Sequence, residues 1–217
     1  QELLTGKRRL PGFDIVGAYG NTPNSRGACT TVKPGECHSP LPDVPHGWEV
    51  KRLGEILKVR HGKSQQDIVV SDGMYPILAT GGEIGRTNTS LYDKPSVLIG
   101  RKGTIDVPQY VDTPFWTIDT LFFTEISSLV SPKFVFYKFN TINWYNYNEA
   151  SGVPSLNAST IENIEFNCPP LPEQTAIAAI LSDMDTEIAT LEQKRDKTRL
   201  LKQGMMQELL TGRIRLV

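Results

Sequence analysis

Residues 169–212 read PPLPEQTAIAAILSDMDTEIATLEQKRDKTRLLKQGMMQELLTG, and this stretch divides the chain. Pro172 suits a first helical turn and Glu173 complements the helix dipole there. No proline follows to the end of the chain, and Gly212 is a suitable stop. The spacing predicts one helix from Glu173 to about Leu210, with Ser182 and Asp183 as its weakest point. Apolar residues recur in heptads: Leu181 and Ile188 at one seam position, and Ile177, Met184, Leu191 and Met205 at the other. A rod of that length cannot cover its own seam, so a second helix is expected against it. Acids come first (Asp183, Asp185, Glu187, Glu192) and bases follow (Lys194, Arg195, Lys197, Arg199, Lys202). That polarity suits antiparallel pairing. Polar residues at the seam positions 195, 198 and 202 argue against an uninterrupted coiled coil, and a charged helix lying along its own domain is the simpler alternative.

The same stretch ends in a repeat. Residues 207–216, QELLTGRIRL, restate residues 1–10, QELLTGKRRL, with eight of ten positions identical. A mixed decapeptide does not recur by low complexity, so the chain reads as one period of a two-period protein plus the tail of the preceding period. Residues 1–46 are that remnant plus a linker rich in Pro, Gly, Asn, Ser and Thr. Residues 47–168 form the globular domain and 169–217 the helix.

The middle is predicted as α+β, a domain with a twisted, loop-rich sheet. WEVKRL at 48–53 alternates, and short β-prone runs follow at Asp67–Val70, Tyr75–Ala79, Ser96–Ile99, Gln109–Val111 and Leu121–Thr124, separated by turn formers. SPKFVFYKFN at 131–140 suits either a helix or a strand. The aromatics Phe115, Trp116, Phe122, Phe123, Phe134, Phe136, Tyr137 and Phe139 sit in apolar runs and are expected in the core rather than as stacking platforms.

Composition narrows the classes. The chain has 217 residues, 39% hydrophobic and 22% charged, with a net charge of −1. No apolar run approaches the roughly 20 residues needed to span a bilayer, and no secretory leader is evident, so no membrane partner is expected and cytoplasm is the expected compartment. Cys29, Cys37 and His38 lack the second ligand pair of a zinc site, so no metal is expected. No cofactor is expected either. Residues 47–170 hold 11 Lys+Arg against 13 Asp+Glu, so nucleic-acid binding requires a local basic face rather than bulk charge.

Three loops have the chemistry for such a face. Residues 79–88, ATGGEIGRTN, offer Thr80, the amides of Gly81 and Gly82, and Arg86 and Asn88, the residue types that pair with guanine and adenine edges. Residues 99–105, IGRKGTI, place Arg101 and Lys102 between glycines in a turn suited to phosphate. Residues 59–64, VRHGKS, add Arg60, His61 and Lys63. A fourth loop, ASGVPSLN, brings Ser151 and Ser155. Each, taken singly, is also an ordinary polar turn.

In order along the chain, GWEVKRLGEI, YPILATGGEIGRTN, VLIGRKGTI, FWTIDTLFF, ASGVPSLNASTIENIEF and PPLPEQTAIAAILSDMDTEI resemble successive motifs of the specificity subunits of type I restriction–modification systems. LLKQGMMQELLTG resembles the end of their helical region. Together these run from about Gly47 to Leu216. The resemblance implies two tandem copies of a target-recognition domain and a helix, the helices pairing antiparallel, each domain reading half of a split double-stranded DNA site. It favours a helix at 131–140. It implies modification (methyltransferase) and restriction subunits as partners, and either a second half or a homodimer through the helix. This chain carries one domain and one complete helix, and its residues 14–46 are longer than the pattern between repeats. An enzyme is the rival class, yet the cofactor loop of an adenine methyltransferase is missing, NCPPL at 167–171 is a superficial likeness to its catalytic run, and no nuclease-like acidic pair with a lysine stands out. A helical scaffold or inhibitor that never touches DNA is the other alternative.

Overall fold

The computed structural model describes residues 2–13 and 45–214. The linker expectation for residues 14–44, and the reading of Cys29, Cys37 and His38, lie outside the described residues. The described chain divides into two compact units, one ending at Ile177 and one beginning at Ala178.

The first unit opens with a single turn, α1 (Glu2–Thr5). Strand β1 (Glu49–Arg52) pairs antiparallel with β10 (Glu165–Cys168), closing the domain's base. Between them run α2 (Leu53–Ile56), β2 (Leu57–His61), β3 (Val69–Val70), β4 (Tyr75–Ala79), β5 (Gly82–Thr87), β6 (Ser96–Gly100), β7 (Gln109–Val111), β8 (Trp116–Thr117), β9 (Leu121–Ile126), α3 (Pro132–Phe139) and α4 (Ala158–Glu162). Two four-stranded sheets result, ordered β2-β9-β6-β7 and β3-β5-β4-β8. All pairings are antiparallel except β4 with β8. The mixed α+β architecture is thus the one expected, with two curled sheets in place of one.

Strand β6, SVLIG, is buried along its whole length, as a continuous apolar run in a central position should be. Its Leu98 packs in one cluster with Leu78, Phe115, Leu121 and Phe123. Where the β6–β9 ladder ends, side chains replace backbone partners: Val97 N donates to Thr124 Oγ1 (3.0 Å), Thr124 Oγ1 to Val97 O (2.9 Å), and Thr124 N to Ser96 Oγ (3.0 Å). Both polar residues are fully buried and satisfied, so they cost the core little. Phe115, Trp116, Phe122, Phe123, Phe134 and Phe139 are buried, with Phe136 and Tyr137 half-buried. The 131–140 stretch holds the helix α3, whose buried residues Phe134, Val135 and Phe139 follow a helical rather than an alternating period.

The domain's base also holds the first turns of the last helix, α5 (Leu171–Leu210). Gln174 accepts from Ser131 N (2.9 Å) and donates to Pro169 O (2.8 Å). Ile177 is 1% exposed, inside this unit's core rather than on an open seam. Burial pushes the Lys138 ammonium below the ordinary lysine range and the Cys168 thiol above its own.

The second unit is the rest of α5, unbroken through Ser182 and Asp183. At 40 residues the whole helix is about 60 Å long. Met184, Ile188, Leu191 and Met205 lie exposed along it, and Leu181 is half-buried.

Candidate nucleic-acid interface

Strand directions gather five loops at one end of the domain. His61 pairs with Phe122 and Gly100 with Leu121, so the C-terminal ends of β2 and β6 meet the N-terminal end of β9. The parallel pair β4–β8 brings the Thr80–Gly81 tip to the same end as the 118–120 turn. The fifth loop, 148–157, is bound across residues 101–104.

Backbone hydrogen bonds fix this rim. Lys63 N donates to Thr117 O (2.9 Å) and Gly62 N to Leu121 O (3.1 Å). Arg101 N and Lys102 N both donate to Thr120 O (2.8 and 3.3 Å). Gly103 N donates to Pro154 O and Leu156 N to Arg101 O, each at 2.9 Å, and Lys102 bridges Ser155. The Arg101–Lys102–Gly103 turn is therefore held from two sides without using the Lys102 side chain. Glycine is required at Gly100 and Gly62 by close approach: a Cβ there would run into Thr104 O and Ile118 O.

Three side chains that the sequence does not assign to the interface set this geometry. Gln109 Nε2 donates to Ala79 O and Thr80 O (both 3.1 Å), steadying the hairpin tip. Trp116 Nε1 donates to Lys63 O (3.1 Å). Asn148 closes the 148–155 loop by accepting from Ala150 N (3.1 Å) and Ser155 N (2.9 Å) and donating to Ala150 O (2.8 Å). An Asn ahead of Ala-Ser-Gly is a turn signal, but nothing local announces a partner seven residues on.

The structure thus brings together Lys63, Thr80, Gly81, Gly82, Arg101, Lys102, Ser151 and Ser155. Lys63, Gly81, Lys102 and Ser151 are exposed; Arg101, Thr80 and Ser155 are half-buried. Arg101 Nη1 donates to Asp119 O (3.1 Å). Asp106 and Asp119 are exposed in the same loops, so the rim has no broad basic field and relies on individual donors.

Arg86 and Asn88 lie away from this rim, whereas Arg60 and His61 border it at the end of β2 with partners of their own. Residues 82–87 form a strand, not a loop, because β4 supplies the ladder that their own apolar pattern does not announce. Arg86 lies at its far end, donating to Gly73 O (2.7 Å), Met74 O (3.1 Å) and Glu83 (3.2 Å). Asn88 accepts from Met74 N. Arg60 pairs across the sheet with Glu125 (2.9 Å), and His61 sits edge-on against Phe122. Among the described residues no group of three or more His, Cys, Asp or Glu could hold a metal, and no helix is long and apolar enough to cross a membrane.

The family model described as the type I restriction modification DNA specificity domain matches residues 45–199. The chain belongs to this family. It is 27% identical over 193 residues to the type I restriction enzyme MjaVIII specificity subunit of Methanocaldococcus jannaschii, covering 77% of this chain and 43% of that protein. It is 23% identical over 177 residues to the EcoDI specificity subunit of Escherichia coli, covering 79% and 39%. Two solved structures share the fold. The S subunit from M. genitalium has a TM-score of 0.58 at 16% identity, covering 74% of this chain and 45% of that one. The HsdS subunit from Thermoanaerobacter tengcongensis has a TM-score of 0.57 at 16% identity, covering 78% and 46%. The chain spans less than half the length of these specificity subunits. The matched residues take in the whole rim and most of α5.

Proposed function

We propose that this specificity-family domain reads one half of a bipartite DNA site through its rim, and that α5 sets the distance to a second reader. The observation that carries the reading is the Arg101–Lys102–Gly103 turn, locked by backbone bonds beside Lys63, the Thr80–Gly81 tip and Ser151–Ser155. Rigid placement is what base readout needs, since a hydrogen-bond donor that wanders does not discriminate edges. Lys63 and Lys102 hold phosphates and set register, while Arg101, Thr80 and the loop serines meet base edges. Arg60, His61, Arg86 and Asn88 have structural partners and take a smaller share.

The exposed seam of Met184, Ile188, Leu191 and Met205, with Leu181 beside it, pairs with a second helix. Acid-then-base polarity supports the antiparallel arrangement, which puts opposite charges together. Ile177 supports the helix from within the domain. The second helix comes from another half of the same subunit or from a second copy. The scaffold is then one on which modification and restriction subunits assemble on cytoplasmic DNA, with adenine methylation and cleavage performed by those partners and not by this chain.

The test uses the complex with its modification subunits. Replacing Arg101 and Lys102 together by Ala should lower affinity for the methylated motif at least tenfold and flatten the salt dependence. Unchanged affinity and sequence preference would remove the turn from the reading surface. Calorimetry with S-adenosylmethionine and this chain alone should register no heat of binding; binding would assign it an enzymatic role.

A further inference from the structure

The two copies of the terminal decapeptide end in similar turns. In the first, Gly6 has φ of +76°, Arg8 N donates to Glu2 O (3.2 Å), and Thr5 Oγ1 donates to the same carbonyl (3.2 Å). In the second, Gly212 has φ of +73°, Ile214 N donates to Glu208 O (3.3 Å), and Thr211 Oγ1 donates to that carbonyl (3.4 Å). Both helix ends thus close on a glycine in the left-handed region.

Their surroundings differ. The first copy is seated on the domain. Leu4 is 5% exposed, its carbonyl accepts from Lys138 Nζ (2.9 Å), and Gly6 lies so close to Pro45 and Trp48 that a Cβ would not fit. Arg9 donates through Nε and Nη2 to both oxygens of Glu173 (3.0 and 2.7 Å), a carboxylate with no exposed surface that also accepts from Trp48 Nε1 (3.0 Å). In the second copy Leu210, the counterpart of Leu4, is 80% exposed. The counterpart of Arg9 is Arg215, just outside the described residues. Only two positions differ between the copies, Lys7 for Arg213 and Arg8 for Ile214, and in the seated copy both are exposed. Every position that the seat encloses is identical.

We propose that the seat formed by Trp48, Lys138 and Glu173 is a receptor for this helix-end motif, and that residues 207–216 of a second copy of the chain are a ligand for it. The tail already has the turn that fits, keeps the apolar anchor exposed, and supplies the arginine that Glu173 is placed to pair. Residues 2–10 compete from within the same chain at high effective concentration, so exchange emerges when that inner copy is weakened. Copies would then join tail to seat, independently of the helix seam and of DNA.

A fluorescently labelled peptide of residues 207–216, titrated with the full chain, tests this by anisotropy. The Leu4→Ala/Arg9→Ala chain should bind it saturably, at least tenfold more tightly than the unaltered chain, and a peptide carrying Arg215→Ala should lose at least tenfold. A chain variant that melts cooperatively yet does not bind the peptide, or that binds both peptides equally, overturns the proposal. Should the double variant not fold, Arg9→Ala alone serves, with the same two outcomes.

Discussion

The domain and the helix that follows it solve the burial of apolar surface in opposite ways. In the domain Leu98, Phe115 and Leu121 are fully buried, and their neighbours come from strands far apart in sequence. Along the helix after Ala178, Met184, Ile188 and Leu191 each leave more than half of their surface exposed. A helix whose apolar residues stay exposed gains little from its own packing. The domain therefore carries its stability within itself, whereas the helix after Ala178 leaves its apolar residues uncovered.

Truncating the core should have the largest effect. Phe115→Ala is expected to lower the domain's stability by about 3–5 kcal/mol, measured by urea unfolding; a loss below about 1 kcal/mol would mean that the cluster around it is not one packed unit. Next comes the seat of the first decapeptide. Glu173→Ala leaves Arg9 and the Trp48 indole without their shared acceptor and should cost about 3 kcal/mol, read in the same experiment. Arg101→Ala with Lys102→Ala should leave stability within about 0.5 kcal/mol. A tenfold loss of DNA affinity by the complex, about 1.4 kcal/mol, would place the rim on the functional side of the comparison. Smallest of all in the isolated chain, Met184→Ala with Ile188→Ala should move the melting curve by no more than a substitution at an exposed site does, about 0.5 kcal/mol. In the assembled complex the same pair should weaken subunit association, followed by light scattering. A large loss in the isolated chain would show that the helix is already covered there.

The helix was legible because its signal is local. Heptad spacing, Pro172 and Gly212 place it within two residues of its observed start at Leu171 and at its end, Leu210. Strands at 75–79, 96–100, 109–111 and 121–126 were legible from β-prone runs between turn formers. Strands β2 and β5 were not: LKVRH alternates over only four residues beside polar turn formers, GEIGRT has no apolar alternation, and both take their form from the partners β9 and β4. The candidate site divides in the same way. Residue chemistry alone pointed to the 80–82 tip and the 101–102 turn, which the fold brings together with Lys63 and Ser155. It pointed equally to Arg86, whose guanidinium is engaged by carbonyls 12 and 13 residues away. A window of sequence does not reveal whether an arginine's donors are already taken.

Sequence alone determined the long helix and the repeat that brackets the chain, because each is written in spacing or identity. The tertiary structure decided which loops share a rim, and it gave the same leucine of two near-identical segments a buried place in one and an exposed place in the other. Leu4 and Leu210 occupy the same place in the same motif, at 5% and 80% exposure. Burial belongs to the neighbours that a fold supplies, and those neighbours, Trp48, Lys138 and Glu173, lie up to 164 residues from the segment they hold.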